Sequence, residues 1–362
     1  MTTPLPSPRR TTDPDDSTSS ADLSTSFDSP VSADWSTLEV YSSTLRQYSV
    51  NDGTKHPRVD EINVAWEQMF GRDFKLNATY IKRDWTNFIN STLPGAIWSD
   101  TAYAYTNPMT GQPMTVYKWM NSSDVADMTI GNITQVQYKL DNGSTLLSPD
   151  AKRSYRGLML VLQRRLRNRW QAQVSYVYSK TRGTIDNGSY SGVSSNQFEN
   201  PNYAAINTDG FSSYDRPHEV KVFAGYQIPV IDLSVDAYFR WMSGRPYVPY
   251  SRIRGSNLGW PFSSYVTPNL ESPGEHRNDN FNQTDLRLEK VFNVGFHRFG
   301  VYLDIANLFN QSIVTARQTR YPNRNLTALD SEGNPVDNYV DFGGPTAVMG
   351  PRQFTIGGRW SF

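Results

Sequence analysis

The sequence contains no cysteine. That excludes a disulfide framework, a thiolate nucleophile and any cysteine-based metal centre. It also has no net charge, because 35 Lys and Arg are offset by 35 Asp and Glu. Such a chain lacks the basic footprint of a nucleic-acid binder, so nucleic acid is not an expected partner. Long apolar runs are missing too. The longest, Leu158 to Leu162, falls far short of the roughly 20 residues of a membrane-spanning helix. Met1 to Arg10 hold no apolar stretch of the kind a secretory signal carries. The four histidines, His56, His218, His276 and His297, have no metal-ligand spacing. The carboxylate groups Asp13–Asp16 and Glu275–Asp279 lack the ordered oxygen series of a calcium loop and read as solvated loops. Neither a nucleophile elbow nor a phosphate-cradling glycine loop nor a metalloprotease helix is recognisable. The chain therefore reads as a non-enzyme, with no cofactor.

What is present has a distinct flavour. Apolar residues make up 37%, against roughly 45–50% in globular chains. Aromatics reach 13%, with 21 Tyr, 17 Phe and 9 Trp. Few aliphatics and many rings suit strands with one apolar face better than a thick core. Residues 1 to about 34 are Ser, Thr, Pro and Asp around isolated Leu5, Leu23, Phe27 and Val31. They bury too little to offset ordering entropy, so a disordered start is expected within a low-complexity and loop segment, 1–58.

From residue 59 a period of two takes over. Ala172, Val174, Tyr176 and Tyr178 alternate with Gln171, Gln173, Ser175 and Ser179. Leu233, Val235, Ala237, Phe239 and Trp241 oppose Asp232, Ser234, Asp236 and Arg240, and the last segment sets Phe354, Ile356, Trp360 and Phe362 against Gln353, Thr355, Arg359 and Ser361. Alternation of this length means strands with one dry and one wet face. The fold class is all-β.

Tight connections near 71–73, 167–169, 229–231 and 294–296 alternate with long polar stretches at 89–153, 182–216, 244–282 and 311–351. Loops beyond about 12–15 residues are rare in compact domains. Strict alternation of short turns and long loops is the layout of an antiparallel transmembrane β-barrel, with the long loops extracellular. Expected strands are 59–70, 74–88, 154–166, 170–181, 217–228, 232–243, 284–293, 297–310 and 352–362. Rings near strand ends (Tyr80, Trp85, Trp170, Tyr176, Tyr178, Tyr238, Trp241, Trp360) suit an aromatic girdle at the lipid interface. Nine strands is an odd number, whereas bacterial single-chain barrels are even. Together with the missing signal, this leads us to expect the C-terminal part of a longer protein. A soluble β-sandwich is the alternative, which the wet second face and the long loops argue against.

Several segments resemble one family in order. Asp60-Glu61 with Phe74 to Arg83 comes first, then Tyr155-Arg156-Gly157-Leu158 through Trp170, with Ser175 to Lys180. Tyr214-Asp215-Arg216-Pro217-His218, Ser243-Gly244-Arg245-Pro246-Tyr247, Asp285 to Lys290, Asp304 to Asn310 and Gln353 to Phe362 follow. Over 59–362 the chain resembles the barrel of TonB-dependent outer-membrane receptors of the Oar-like group, which carry a carboxypeptidase-regulatory-like domain. The resemblance implies about nine C-terminal strands of a barrel of about 22, with a plugged lumen. It implies outer-membrane location, lipid as partner, and uptake or export of a bulky, unidentified extracellular ligand. Neither plug nor TonB box is recognisable in these residues, so TonB would act only through a plug outside them.

Within that frame, Arg216, Pro217 and His218 stand at a strand start, where proline forfeits no ladder donor. Gly244, Arg245, Pro246 and Tyr247 mirror them at a strand exit. Both sets read as structural, although His218 is also a candidate for touching ligand. The last strand, with Phe354, Ile356, Trp360 and Phe362, is similar to the signal read by the Bam assembly machinery, whose physical basis would be strand addition at a sheet edge. An inward polar set of mixed charge (Gln171, Gln173, Ser175, Asp236, Arg240, Asp285, Arg287, Glu289, Asp304, Asn307) is expected to pair across strands. The loop rings Trp98, Tyr103, Tyr105, Trp119, Trp260 and Phe262 suit either stacking on a sugar or peptide, or packing within the loops. A structural or adhesive barrel without energised transport remains the alternative function.

Overall fold

The structure is a computed structural model that describes residues 48–124, 127–185, 197–261, 263–321 and 341–361. Its frame is a wall of nine long antiparallel strands, each bonded to the next in chain order. They are β1 (Arg58–Phe70), β2 (Phe74–Thr86), β3 (Arg153–Arg167), β4 (Trp170–Gly183) and β5 (His218–Ile228). The remaining four are β6 (Leu233–Met242), β7 (Phe281–Val294), β8 (His297–Ala306) and β9 (Gln353–Ser361). A two-residue stub, Gly210–Phe211, adds to the upper end of β4. Among the described residues the sheet is open: β1 and β9 each have one paired neighbour. No helix among them is long and apolar enough to cross a membrane.

Alternation along each strand and matched register across strands sort the side chains into two faces. Trp66 faces Ala78, Ala78 faces Leu160, Leu160 faces Tyr176, and Tyr176 faces Val220 opposite Trp241. The same row logic continues through Val235–Leu288, Leu288–Leu303 and Leu303–Ile356. One face of the wall is thus a continuous apolar belt, whose rings and aliphatics are half-buried or, like Trp66 and Ile356, exposed.

The short turns carry the local chemistry that closes them. Asn168 and Arg169, the two central residues between β3 and β4, both hold positive φ (52° and 70°), as the hairpin turns matched to strand twist require. Arg164 covers this turn. Its guanidinium stacks 3.5 Å from the Trp170 ring centroid and donates to the carbonyl of Arg167 at 2.9 Å.

The long connections are not structureless. Every buried apolar side chain among the described residues lies in them, none in the nine wall strands. Residues 88–92, 128–133 and 48–50 form one small sheet, and 97–99, 118–119, 137–140 and 145–147 another. A four-residue helix, Pro201–Ala204, starts at Asn200, whose side chain accepts from the Asn202 amide. The cap so formed is centred on Trp98, Trp119 and Trp260, with ring centroids 5.8–6.3 Å apart, and Tyr138 edge-on to Trp98 at 6.4 Å. Long polar loops were expected here, and a folded cap with its own core is found.

Three smaller corrections follow from register. Trp85 and Tyr238 do not join the lipid-side girdle. Trp85 falls on the inner face opposite Arg153 and packs against the cap core, and Tyr238 falls opposite Asp285. Asn307 is not an inward strand residue. It leaves β8 with φ 53°, and its amide donates to the carbonyls of Gln311 and Gly350, each at 3.0 Å.

Candidate functional site at the rim, inner wall and cap

Three places bring chemistry-bearing side chains together. The first is the rim where β4, β5, β6 and β7 meet the loops. Asp215, its side chain fully buried, accepts from the Thr181 amide at 2.7 Å and from Arg277 Nη2 at 2.7 Å. Arg277 Nη1 also reaches the Gly244 carbonyl at 3.1 Å. Arg216 donates to the Ser243 carbonyl at 2.6 Å, and the His218 amide donates to Ser243 Oγ at 3.2 Å. Burial, with Arg245 nearby, pulls the Arg216 guanidinium below its ordinary pKa. Gly244 has no room for a side chain, since a Cβ there would sit 1.7 Å from the Asn278 carbonyl oxygen.

The structure therefore brings the two quoted motifs into one junction. Pro217 directly precedes β5, and its carbonyl accepts from the Ser179 amide at 3.0 Å. Arg245 covers the Tyr214 ring at 5.1 Å, Pro246 pairs with Arg277, and Tyr247 stacks on His276 at 5.5 Å. His218 lies between Tyr176, whose hydroxyl is 2.8 Å from Nδ1, and Tyr178. Sequence reasoning had no signal for Arg277, which sits in a polar loop without periodicity.

The second place is the inner face of β6 to β9. Arg287 lies 3.5 Å from the Asp304 carboxylate and 4.1 Å over the Tyr302 ring. Arg359 pairs with Glu289 at 2.8 Å. Tyr302 in turn lies over Gly357, a position any side chain would obstruct. A shallow hollow of about 340 Å³ here is bordered by Asp236, Tyr238, Asp285, Arg287 and Asp304. Cross-strand pairing of mixed charge was expected of the inward set, and Arg287 with Asp304 and Glu289 with Arg359 show it.

The third is the cap surface. Trp98, Trp119 and Trp260 are each about 1% exposed and pack on one another, so packing within the loops accounts for them. Phe262 lies outside the described residues. Beside Trp260 opens a cleft of about 640 Å³, lined by Ser122, Arg254, Ser256, Ser263, Ser264 and Tyr265. In the cap core Tyr138 donates to the Phe198 carbonyl at 2.9 Å, and burial, then the neighbouring Glu199, push its phenol pKa well up.

On β9, Phe354, Ile356 and Trp360 share the outer face and are exposed, and Trp360 stacks on Phe299 at 6.2 Å and 3°. Phe362 lies outside the described residues.

An apolar belt on one face, paired charges on the other, and tight turns alternating with long loops make a membrane wall. The family profile described as outer membrane beta barrel domain matches residues 2–259, more than half of the chain. The chain belongs to the outer membrane β-barrel domain family. The barrel wall accordingly lies in the outer membrane, with its apolar belt against lipid. Solved structures to which the chain is similar include three transporters. The outer membrane transporter YddB from Escherichia coli is 11% identical, with 87% of this chain and 34% of that one covered, at a TM-score of 0.43. The FrpB iron transporter from Neisseria meningitidis is 12% identical (74% and 28% covered, TM-score 0.38), and the copper transporter OprC is also 12% identical (86% and 32%, 0.39). The barrel chain thus spans about a third of the length of these transporters. No curated protein sequence matches it.

Proposed function

We propose that this chain supplies barrel wall and cell-surface cap to a TonB-dependent receptor of the Oar-like group, which moves a bulky substrate across the outer membrane. The observation that carries the reading is the inner face. Ion pairs and polar side chains run along it, from Glu61–Arg83 on β1 and β2 to Glu289–Arg359 on β7 and β9. A sandwich core would need apolar side chains there, whereas a lumen filled by a polar plug accepts them.

In this reading residues 59–362 form the barrel portion and 1–58 lead into it. The open edges at β1 and β9 are met by further strands, because unpaired backbone groups in lipid cost several kcal/mol each. The cleft beside Trp260 faces the ligand, and its serines, Arg254 and Tyr265 suit a hydrogen-bonding one. Energy from TonB enters through a plug outside these residues, and the chain itself performs no enzymatic step. Outer-face Phe354, Ile356 and Trp360, with Phe362, present the strand read by the Bam machinery. The junction of Arg216, Pro217 and His218 with Gly244, Arg245, Pro246 and Tyr247 fixes where strands begin and end.

An antibody against residues near the C-terminus tests this. An outer-membrane band far heavier than the chain's 41.1 kDa, whose deletion abolishes uptake of a ligand, is the expected result. A band near that mass in the same fraction overturns it. The folded cap favours a second reading, a structural or adhesive barrel, which predicts loss of surface attachment with uptake unchanged.

A further inference from the structure

On the outer face, directly above the apolar belt, the register places three cations side by side. Lys82 on β2 is opposite Arg156 on β3, and Arg156 is opposite Lys180 on β4. Two residues lower on the same strands stand Tyr80, Leu158 and Tyr178, all exposed on the lipid side. Two residues higher the row reads Asp84, Ser154 and Arg182. Lys152 is held beside them, because its amide and carbonyl both bond Thr184.

The charges in this patch do not cancel. Lys82 pairs with Asp84 at 2.9 Å, and Asp209 is shared by Lys152 at 2.9 Å and Arg182 at 3.4 Å. Neither Arg156 nor Lys180 has a carboxylate within ion-pair distance among the described residues, and both are exposed. At the edge of the patch Asp60 stands opposite Asp84 and pairs with Arg58, so six cations meet three carboxylates. A cleft of about 520 Å³ opens at the upper ends of these strands, lined by Lys152, Arg156 and Arg182 with Asp84 and Asp209, and it reaches Trp85 and Arg153 of the inner face.

The height of the patch decides its partner. Long loops mark the cell-surface end of an outer-membrane strand, and the apolar belt marks the hydrocarbon. The first charged row above that belt lies at headgroup level of the outer leaflet. Arg and Lys there attract phosphate, Arg through a planar fork that can make two bonds at once. The low dielectric of the adjoining lipid also leaves such contacts poorly screened.

We propose that Lys82, Arg156 and Lys180, with Arg182 and Lys152 above them, form a site for the phosphate groups of an outer-leaflet glycolipid. The lipid's acyl chains lie along Tyr80, Leu158 and Tyr178, and its phosphates bridge β2, β3 and β4. The site rests on outer-membrane placement and not on transport, so its failure leaves the transport reading standing.

The test uses the full-length product carrying this chain, purified in detergent from outer membranes. Diphosphoryl lipid A and the same lipid stripped of its phosphates are titrated as mixed micelles, with bound lipid read by native mass spectrometry. The phosphorylated form is expected to bind on the order of a hundredfold more tightly. The combined Lys82→Gln, Arg156→Gln and Lys180→Gln variant is expected to lose that preference. A control with Arg72→Gln, Arg165→Gln and Arg169→Gln, at the opposite end of the wall, is expected to keep it. Equal binding of the two lipids by the unaltered protein overturns the site, and so does an unchanged preference in the first variant. Displacement by excess inorganic phosphate would mean a free-anion site and equally overturns it. Should the triple variant fail to accumulate, the single Arg156→Gln and Lys180→Gln variants carry the same comparison, and an unchanged preference in both overturns the site.

Discussion

The wall and the cap bury apolar surface by opposite rules. In the wall, rings such as Trp66, Tyr80 and Trp360 stay exposed, between 41% and 59%, because their solvent is lipid. In the cap, Trp98, Trp119 and Trp260 are sealed against one another as in a soluble protein. A substitution that removes packing should therefore injure the cap more than the wall. A substitution that adds charge should injure the wall's belt more than its inner face.

The largest effect expected is Trp98→Ala. Removing a fully buried ring leaves a cavity costing about 3–5 kcal/mol, and all of it falls on the cap. Protease cleavage within 88–147 should rise steeply while the wall keeps its heat-resistant electrophoretic mobility. Loss of both together would show that cap and wall fold as one unit.

Next comes Leu162→Arg. Leu162 lies in the lower half of the belt, opposite Leu76 and Val174, where a cation against lipid costs up to about 2–4 kcal/mol. Gln173→Arg, its neighbour on the inner face opposite Gln163 and Phe223, should be close to neutral. Folding yield in vesicles, titrated with urea, separates the two. Equal cost would mean that the two faces have been exchanged.

A third substitution probes the seam between the regions. Asp215→Asn keeps the shape but weakens the bond to Arg277, for which charge-assisted bonds of this kind suggest about 1.5–3 kcal/mol. The loss should appear as faster hydrogen exchange at Thr181, whose amide Asp215 holds, with the β1–β2 hairpin unaffected.

The same contrast governs what the sequence could reveal. Because lipid stands in for a core, each wall strand alternates on its own account, without reference to distant partners. All nine strands were legible for that reason, most to within a few residues. β8 was extended to 310, and it stops at Ala306 because Asn307 turns to positive φ and bonds loop carbonyls. The faces of Trp85 and Tyr238 were misjudged because proximity to a strand end was used in place of parity. The cap was illegible for the opposite reason. Trp98 and Trp260 meet across 162 positions with no periodicity between them. The motif around Arg216 could be placed at a strand start, but its anchor on Arg277 arises only from tertiary packing.

The smallest effect expected lies where wall and cap meet, at Asp209. Burial raises its pKa, but the hydrogen bond and charge of Lys152, joined by Arg182, outweigh that and hold it below the ordinary aspartate value. A depressed carboxyl contributes stability above its unfolded-state pKa and loses it as pH falls through the folded-state one. The link should therefore be intact at neutral pH and weaken only below roughly pH 4. Asp209 is partly exposed, so the change is modest and screened by salt. Protease access near residue 209, followed from pH 7 downward, should show an acid step that Asp209→Asn removes. That variant also frees Lys152 and Arg182 from their shared carboxylate, so it should tighten rather than weaken binding of phosphorylated lipid. If it weakened that binding instead, Asp209 would be positioning the two cations rather than competing for them, and the seam would matter to the lipid site more than charge alone suggests.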